Sequence, residues 1–354
     1  MSSGSALKAK ADELAQAGEI SSLPILILNV HENCNCRCAM CDIWKRPAGR
    51  ELALEQVRAY QADIQKLNVR QVVLTGGEPL LHSHFSELCQ ILRQCRVRIT
   101  LLSTGLLLHK RAQVVADWID EIILSLDGPE KTHNSIRRVS HAYRLMQNGI
   151  TAVRQLRPDL PIHARSTIQS ANFSLLRQTV AAAKSMKCTS ISFLSVDTFS
   201  SAFNRDLIWP EEYKRSIDLT SGQITALEAE IELLVRDNAA DFKNGYIAEN
   251  PEKLRRIARS FRSRLGEVPA ISPLCNASWV SAVIEVDGTL RPCFFHRAIS
   301  ETRTQSLEQA LNSTDAVHFR TALDIPNDGI CQNCVCSLNY RLKTLEPRKY
   351  HIAP

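Results

Sequence analysis

Twelve cysteines stand among 354 residues, and their spacing is the first feature that could do chemistry. Residues 31–44 read His-Glu-Asn-Cys-Asn-Cys-Arg-Cys-Ala-Met-Cys-Asp-Ile-Trp, which contains Cys34-x3-Cys38-x2-Cys41. A second group comprises Cys275, Gly288-x4-Cys293 and Cys331-x2-Cys334-x-Cys336. Thiolates ligate zinc and iron–sulfur clusters alike. Three of them on a cubane leave one iron without a protein ligand, open to a small molecule. Zinc prefers paired CxxC knuckles and a fourth donor, which Cys36 or His31 could supply to the first group. In the second group an expected hairpin (Ala282–Val286, the Asp287-Gly288 turn, Leu290–Phe294) brings Cys275 to Cys293. Cys331 then joins them with Cys334 or Cys336 as the fourth thiolate, a set that suits one cluster or structural zinc. Cys36 has no assigned role, and Cys89, Cys95 and Cys188 read as packing residues.

Other motifs end on predicted strands. Leu74-Thr75-Gly76-Gly77-Glu78-Pro79 pairs two glycines, which let backbone approach a ligand closely, with a carboxylate suited to a cationic amine. Leu102-Ser103-Thr104-Gly105 and Leu124-Ser125-Leu126-Asp127-Gly128-Pro129 follow, the latter trailed by His133-Asn134-Ser135-Ile136-Arg137-Arg138. Arg165, Thr167 and Asn172 are weaker candidates, and His82 and His163 read as structural.

The elements that must position these residues alternate. Strands are predicted over Ile25–Val30, Gln71–Leu74, Arg98–Leu102, Glu121–Leu126, Ile162–Ile168 and Ser190–Val196. Helices are predicted over Leu54–Leu67, Phe85–Gln94, Arg111–Trp118, Ala142–Gln155 and Leu175–Met186. Apolar strands alternating with helical patterns argue for a parallel sheet with crossover helices. Ligands in such folds collect at the strand C-termini, where the motifs fall. The expected organisation is a polar, helical segment 1–23, a core 24–205, a charged helical bridge 206–270 and a cysteine-rich region 271–354. Composition is that of an ordinary globular protein (44% hydrophobic, 23% charged), which excludes fibrous and disordered classes. The net charge of +6 has no concentrated basic stripe, so nucleic acid is not an expected partner. The N-terminus lacks the apolar core of a signal peptide, and the longest apolar runs are strand-sized. A cytoplasmic protein with no membrane span is expected, and there clustered cysteines point to metal rather than disulfides.

The CxxxCxxC segment closely resembles the radical S-adenosylmethionine (SAM) superfamily, over about residues 24–200. The resemblance implies an α/β fold, a partial (βα)6 TIM-like barrel, with Cys34, Cys38 and Cys41 holding a [4Fe-4S] cluster. The open iron would chelate the amino and carboxylate groups of SAM, and an electron from the cluster would cleave SAM to methionine and a 5′-deoxyadenosyl radical. The residue before the last cysteine, usually aromatic in the family, is here Met40, which is apolar and adaptable enough to cover the cofactor. By the same resemblance, the backbone of Gly76, Gly77 and Pro79 and the carboxylate of Glu78 meet the SAM ammonium. Ser103, Ser125 and Asp127 approach its sugar, and the arginine of an H-x-x-x-R pattern, assigned to Arg138, lies near its carboxylate. Residues 273–336 resemble the SPASM or shorter twitch extension, a small α+β iron–sulfur domain. Five cysteines imply one auxiliary [4Fe-4S] cluster, which would pass an electron or touch the substrate. A flavodoxin- or ferredoxin-like reductant is implied, and a peptide or small-molecule substrate. The alternative is a non-catalytic iron–sulfur or zinc protein, an electron carrier or a metal-dependent binding module.

Overall fold

Six strands build the core of this chain: the first four are largely apolar, while Ile162–Ile168 and Ser190–Ser195 alternate a buried face with a half-buried one that carries His163, Arg165 and Thr167 or Ser190 and Ser192. The computed structural model describes residues 18–46, 49–203 and 209–341. Residues 1–17 of the expected N-terminal segment, the boundary expected at 205–206 and residues 342–354 lie outside the described residues. In chain order the core comprises β1 (Ile25–His31), α1 (Leu54–Ala59), α2 (Gln61–Lys66), β2 (Gln71–Gly76), α3 (Phe85–Gln94) and β3 (Arg98–Ser103). It continues with α4 (Leu108–Trp118), β4 (Glu121–Ser125), α5 (Glu130–Arg137), α6 (Ala142–Leu156), β5 (Ile162–Ile168), α7 (Leu176–Ser185) and β6 (Ser190–Ser195). The six strands are parallel neighbours in the order β6-β5-β4-β3-β2-β1, an α/β sheet with crossover helices.

The single helix expected over Leu54–Leu67 is divided at Tyr60. The Tyr60 ring is buried, and its hydroxyl lies 2.7 Å from Thr302 Oγ1, which ties the division to the C-terminal region. The bridge holds α8 (Glu211–Ile217), α9 (Ser221–Asp237), α10 (Ala239–Lys243) and α11 (Pro251–Arg264). α9 packs against α11 and α7. Ahead of α11, Ile247 bridges Ile191, and Phe193 N donates to Glu249 at 2.9 Å, so the outer edge of β6 is covered.

The cysteine-rich region contains α12 (Ala277–Val280), β7 (Ser281–Ile284), β8 (Thr289–Arg291), β9 (Ser300–Glu301), α13 (Leu307–Leu311), α14 (Thr314–Ala322) and α15 (Gly329–Gln332). The expected hairpin is β7–β8, antiparallel about Asp287-Gly288. Its placement was not read from sequence: β7 pairs in parallel with β1, Ile25 opposite Ser281 through Leu28 opposite Ile284. The auxiliary region therefore continues the barrel sheet to nine strands instead of standing apart from it. Among the described residues no helix is long and apolar enough to cross a membrane.

Candidate active site

The segment after β1 has almost no regular structure, so its shape rests on side-chain anchors. Trp44 Nε1 donates to Cys41 O (2.8 Å), Tyr213 Oη to Ala39 O (2.6 Å) and Trp209 Nε1 to Asp42 Oδ2 (2.8 Å). Arg37 N donates to Arg137 O at 3.1 Å. The result is that Cys34, Cys38, Met40 and Cys41 line one cavity of about 240 Å³ at the C-terminal ends of the strands. Gly76, Gly77, Ser103, Thr104, Ser125, Arg165 and Thr167 line it too.

The paired glycines have a local cause. Gly77 N donates to His31 O and Glu78 N to Asn33 O, both at 2.8 Å, so β2 supports the cysteine loop directly. A Cβ at Gly77 would lie 2.0 Å from Asn33 O, and one at Gly76, where φ is +123°, 2.5 Å from His31 O. Only glycine admits the loop this closely. Their bare backbone also leaves the cavity wall open to a ligand.

Glu78 stands differently from the expectation. It is fully buried and its carboxylate is consumed by protein donors: Leu80 N (3.1 Å), Thr104 N (2.8 Å), Ser103 Oγ (2.9 Å) and Thr104 Oγ1 (2.6 Å). Burial raises its pKa, while the bonds from Thr104, Leu80 and Ser103 pull it down. Glu78 thus fixes the turn after β3 and does not face the cavity. Pro79 is buried beside it in a short 3₁₀ turn. Asp127 is also fully buried; it pairs with Arg137 Nη2 at 2.5 Å and accepts from Thr167 N at 3.0 Å. Arg138, the expected carboxylate ligand, is exposed in a left-handed conformation that caps α5. The arginine that reaches the cavity is Arg137, which lies 3.6 Å from Cys38 Sγ.

This arrangement prepares Cys38 as a thiolate. The Cys36 hydrogen bond, and beyond it the Arg137 charge, bring its thiol down to about 6 against the effect of its own burial. Cys36, bonded to both Cys34 and Cys38, is pushed up and stays a thiol. It lies behind the trio, outside the cavity wall. Burial next to Arg137 takes His133 down to about 4, so it is neutral and accepts at Nδ1 from Asp127 N. His82 and His163 take structural bonds, to Leu52 O and to Glu121 and Ser190. Arg165 was ranked low from sequence, yet it lines the cavity and has no carboxylate partner among the described residues. Asp197, at the end of β6, was missed; it lines the cavity and turns the chain through Phe199 and Ser200. Its one sequence signal is its position just after a predicted strand.

The second group also converges. Cys275, Cys293, Cys331, Cys334 and Cys336 line one cavity of about 320 Å³. Asn276 ties the first of these to the last segment through Leu338 and Tyr340. Asp328 Oδ1 caps α15 and accepts from Cys331 N at 2.8 Å. His296, also unread from sequence, reaches Cys331 Sγ at 3.4 Å and Asp328 Oδ1 at 3.6 Å. Burial lifts Cys293 to about 11 and Cys331 to about 12, values that a bound cation would reverse. Five sulfurs about one cavity fit a metal centre. Cys89, Cys95 and Cys188 are simply buried. Cys336 lines both cavities, as do Phe294 and Phe295.

The chain matches the family model of the radical SAM superfamily over residues 28–167, and that of an iron–sulfur cluster-binding domain of the SPASM type over 275–335. Residues 28–167 thus carry a radical SAM domain, and residues 275–335 a SPASM-type domain. Pre-heme d1 synthase of Dinoroseobacter shibae is 30% identical over 158 residues, 43% of this chain and 38% of that one. Fe-coproporphyrin III synthase of Methanosarcina barkeri is 24% identical over 276 residues, 73% and 67% of the two chains. The chain thus spans well under half the length of the first of these relatives. In fold it is similar to Streptococcus suis SuiB bound to S-adenosylmethionine (TM-score 0.64, 12% identity, 94% of this chain and 76% of that chain). It is similar also to anSMEcpe with bound AdoMet and Cp18Cys peptide (TM-score 0.64, 16% identity, 89% of each).

Proposed function

We propose that this chain is an enzyme that performs radical chemistry on an organic substrate, a peptide or a small natural product, with SAM as the radical source. When bound, a reduced [4Fe-4S] cluster and SAM supply one-electron cleavage of the sulfonium and a carbon radical that removes hydrogen from an unactivated position. Cys34, Cys38 and Cys41 hold the cluster, and Arg137, anchored by Asp127, offsets the thiolate charge at Cys38. The bare backbone of Gly76 and Gly77, the hydroxyls of Ser125 and Thr167 and the Arg165 guanidinium bind SAM, the last suited to its carboxylate, while the hydroxyls of Ser103 and Thr104 stay on Glu78. Met40 covers the trio, while Phe203, Phe294 and Phe295 keep water out. A neighbouring cavity of about 300 Å³, lined by His31, Arg46, Glu285 and Arg291 and sharing Thr75, Gly76 and Gly77, admits the substrate. Four of the five late cysteines hold one auxiliary cluster, and Cys336, which lines both cavities, links the two.

One observation carries this reading: the CxxxCxxC trio and a late cysteine meet on a single cavity at the C-terminal edge of a parallel sheet. Its test is anaerobic reconstitution with iron and sulfide, then dithionite and SAM, with 5′-deoxyadenosine measured. Product above a Cys34→Ala, Cys38→Ala, Cys41→Ala control supports it; none above that control rejects it. Iron content separates two clusters, about eight per chain, from one cluster with zinc, about four.

A further inference from the structure

Between the two cysteine cavities and solvent lies the segment Cys334-Val335-Cys336, whose outer face neither cofactor reading uses. Cys334 and Val335 line a surface groove against α11. Val335 and Cys336 line the cavity of the N-terminal trio. Both cysteines also line the auxiliary cavity. Three consecutive residues thus run from the outside of the protein, past the auxiliary thiols, to the radical site.

The surface at the outer end of this path has a distinct chemistry. Leu254, Ile257, Ala258 and Phe261 turn one face of α11 into the core. Lys253, Arg256, Ser260 and Ser263, at helical spacing, face the groove with Arg259. Arg255, Arg262 and Arg264 are neutralised by Glu232, Glu228 and Asp218, but Arg256 and Arg259 are exposed and have no carboxylate partner among the described residues. Ile271, in the groove wall, is 54% exposed, and Leu274, just before Cys275, is 77% exposed. Two guanidiniums without a carboxylate partner among the described residues share one groove with the open Ile271 side chain and with Cys334, an apolar contact with a basic rim. Weak redox encounters use small interfaces, and charge of this kind steers them.

We propose that the α11 groove docks an acidic one-electron carrier protein, with Arg256 and Arg259 pairing to its carboxylates and Ile271 against its apolar centre. This deepens the radical SAM reading, on which it rests. In the step it serves, the reduced carrier loses one electron and the centre held beneath Cys334 gains it; no bond is made and no proton moves.

The test measures binding of purified flavodoxin, the acidic carrier used as probe, to the anaerobically reconstituted protein. Arg256→Glu with Arg259→Glu is compared with the charge-matched Arg58→Glu with Arg70→Glu, both exposed positions far from the groove in sequence. The α11 variant should bind at least tenfold more weakly at 50 mM salt, with the difference gone at 500 mM. The control should stay within twofold of the unaltered protein. Equal weakening by both variants, or a loss that salt does not erase, overturns the proposal, as does unaltered binding by the α11 variant. Failure of the radical reading shows separately, as no 5′-deoxyadenosine with dithionite alone.

Discussion

Replacing Arg137 by methionine tests whether the cysteine loop depends on a buried charge pair. Asp127 is fully buried, and apart from Arg137 its carboxylate has one donor, Thr167 N at 3.0 Å. Methionine fills much of the space but leaves that carboxylate uncompensated, at about 3–5 kcal/mol. At about 2–4 °C per kcal/mol, the thermal midpoint should fall by about 6–20 °C. Cys38 loses its cationic neighbour at the same time, so iron uptake on reconstitution should fall as well. Adding Asp127→Asn removes the orphaned charge, and the double variant should regain at least half of the lost stability without regaining the iron. Calorimetry and iron analysis on the two single variants and the double close the cycle. Arg137→Met costing under about 1 kcal/mol, or simple additivity of the two changes, would refute the reasoning.

Further expectations follow from neighbouring residues. Gly77→Ala drives a methyl against Asn33 O; with two 2.8 Å bonds at stake it should cost about 2 kcal/mol and most of the iron, read by melting and metal analysis. Arg138→Ala should change stability by less than about 0.5 kcal/mol and leave iron content unaltered, because that side chain is exposed. His133 ordinarily titrates at 6.5 and is held at about 4 when folded, so the unfolded chain binds the proton first. Stability should therefore fall as pH drops from 6.5 to 4, by about 3 kcal/mol for this group, and urea unfolding of His133→Gln should show a shallower slope. Tyr60→Phe removes the bond to Thr302 and should cost about 1 kcal/mol by the same measurement.

The six barrel strands were legible because each is an apolar run or a period-two alternation bounded by turn residues, and Ile162–Ile168, which alternates, was read to the residue. The two cysteine groups were legible for a different reason: thiol spacing is a local property that survives any folding. What stayed hidden depended on partners distant in sequence. Glu78 reads as a ligand for an amine until Ser103 and Thr104 are seen to occupy it. His133-x3-Arg137 fits the H-x-x-x-R spacing, but adjacent arginines look alike until one turns outward at the helix end. His296 had no signal at all, since its meaning comes from Cys331 and Asp328, more than 30 positions on. Pairing of β7 with β1 was equally unreadable, because a four-residue apolar run carries no address.

That pairing has a consequence for biosynthesis. Strand β1 keeps one flank bare until residue 284 has been made, some 250 residues after the cysteine loop. At about 5–20 residues per second this is an interval of about 13–50 s. Throughout it a bare parallel strand is offered to any neighbour. Arrival of the last quarter of the chain ends that exposure, and closure of the sheet then fixes the strand that leads into the cysteine loop.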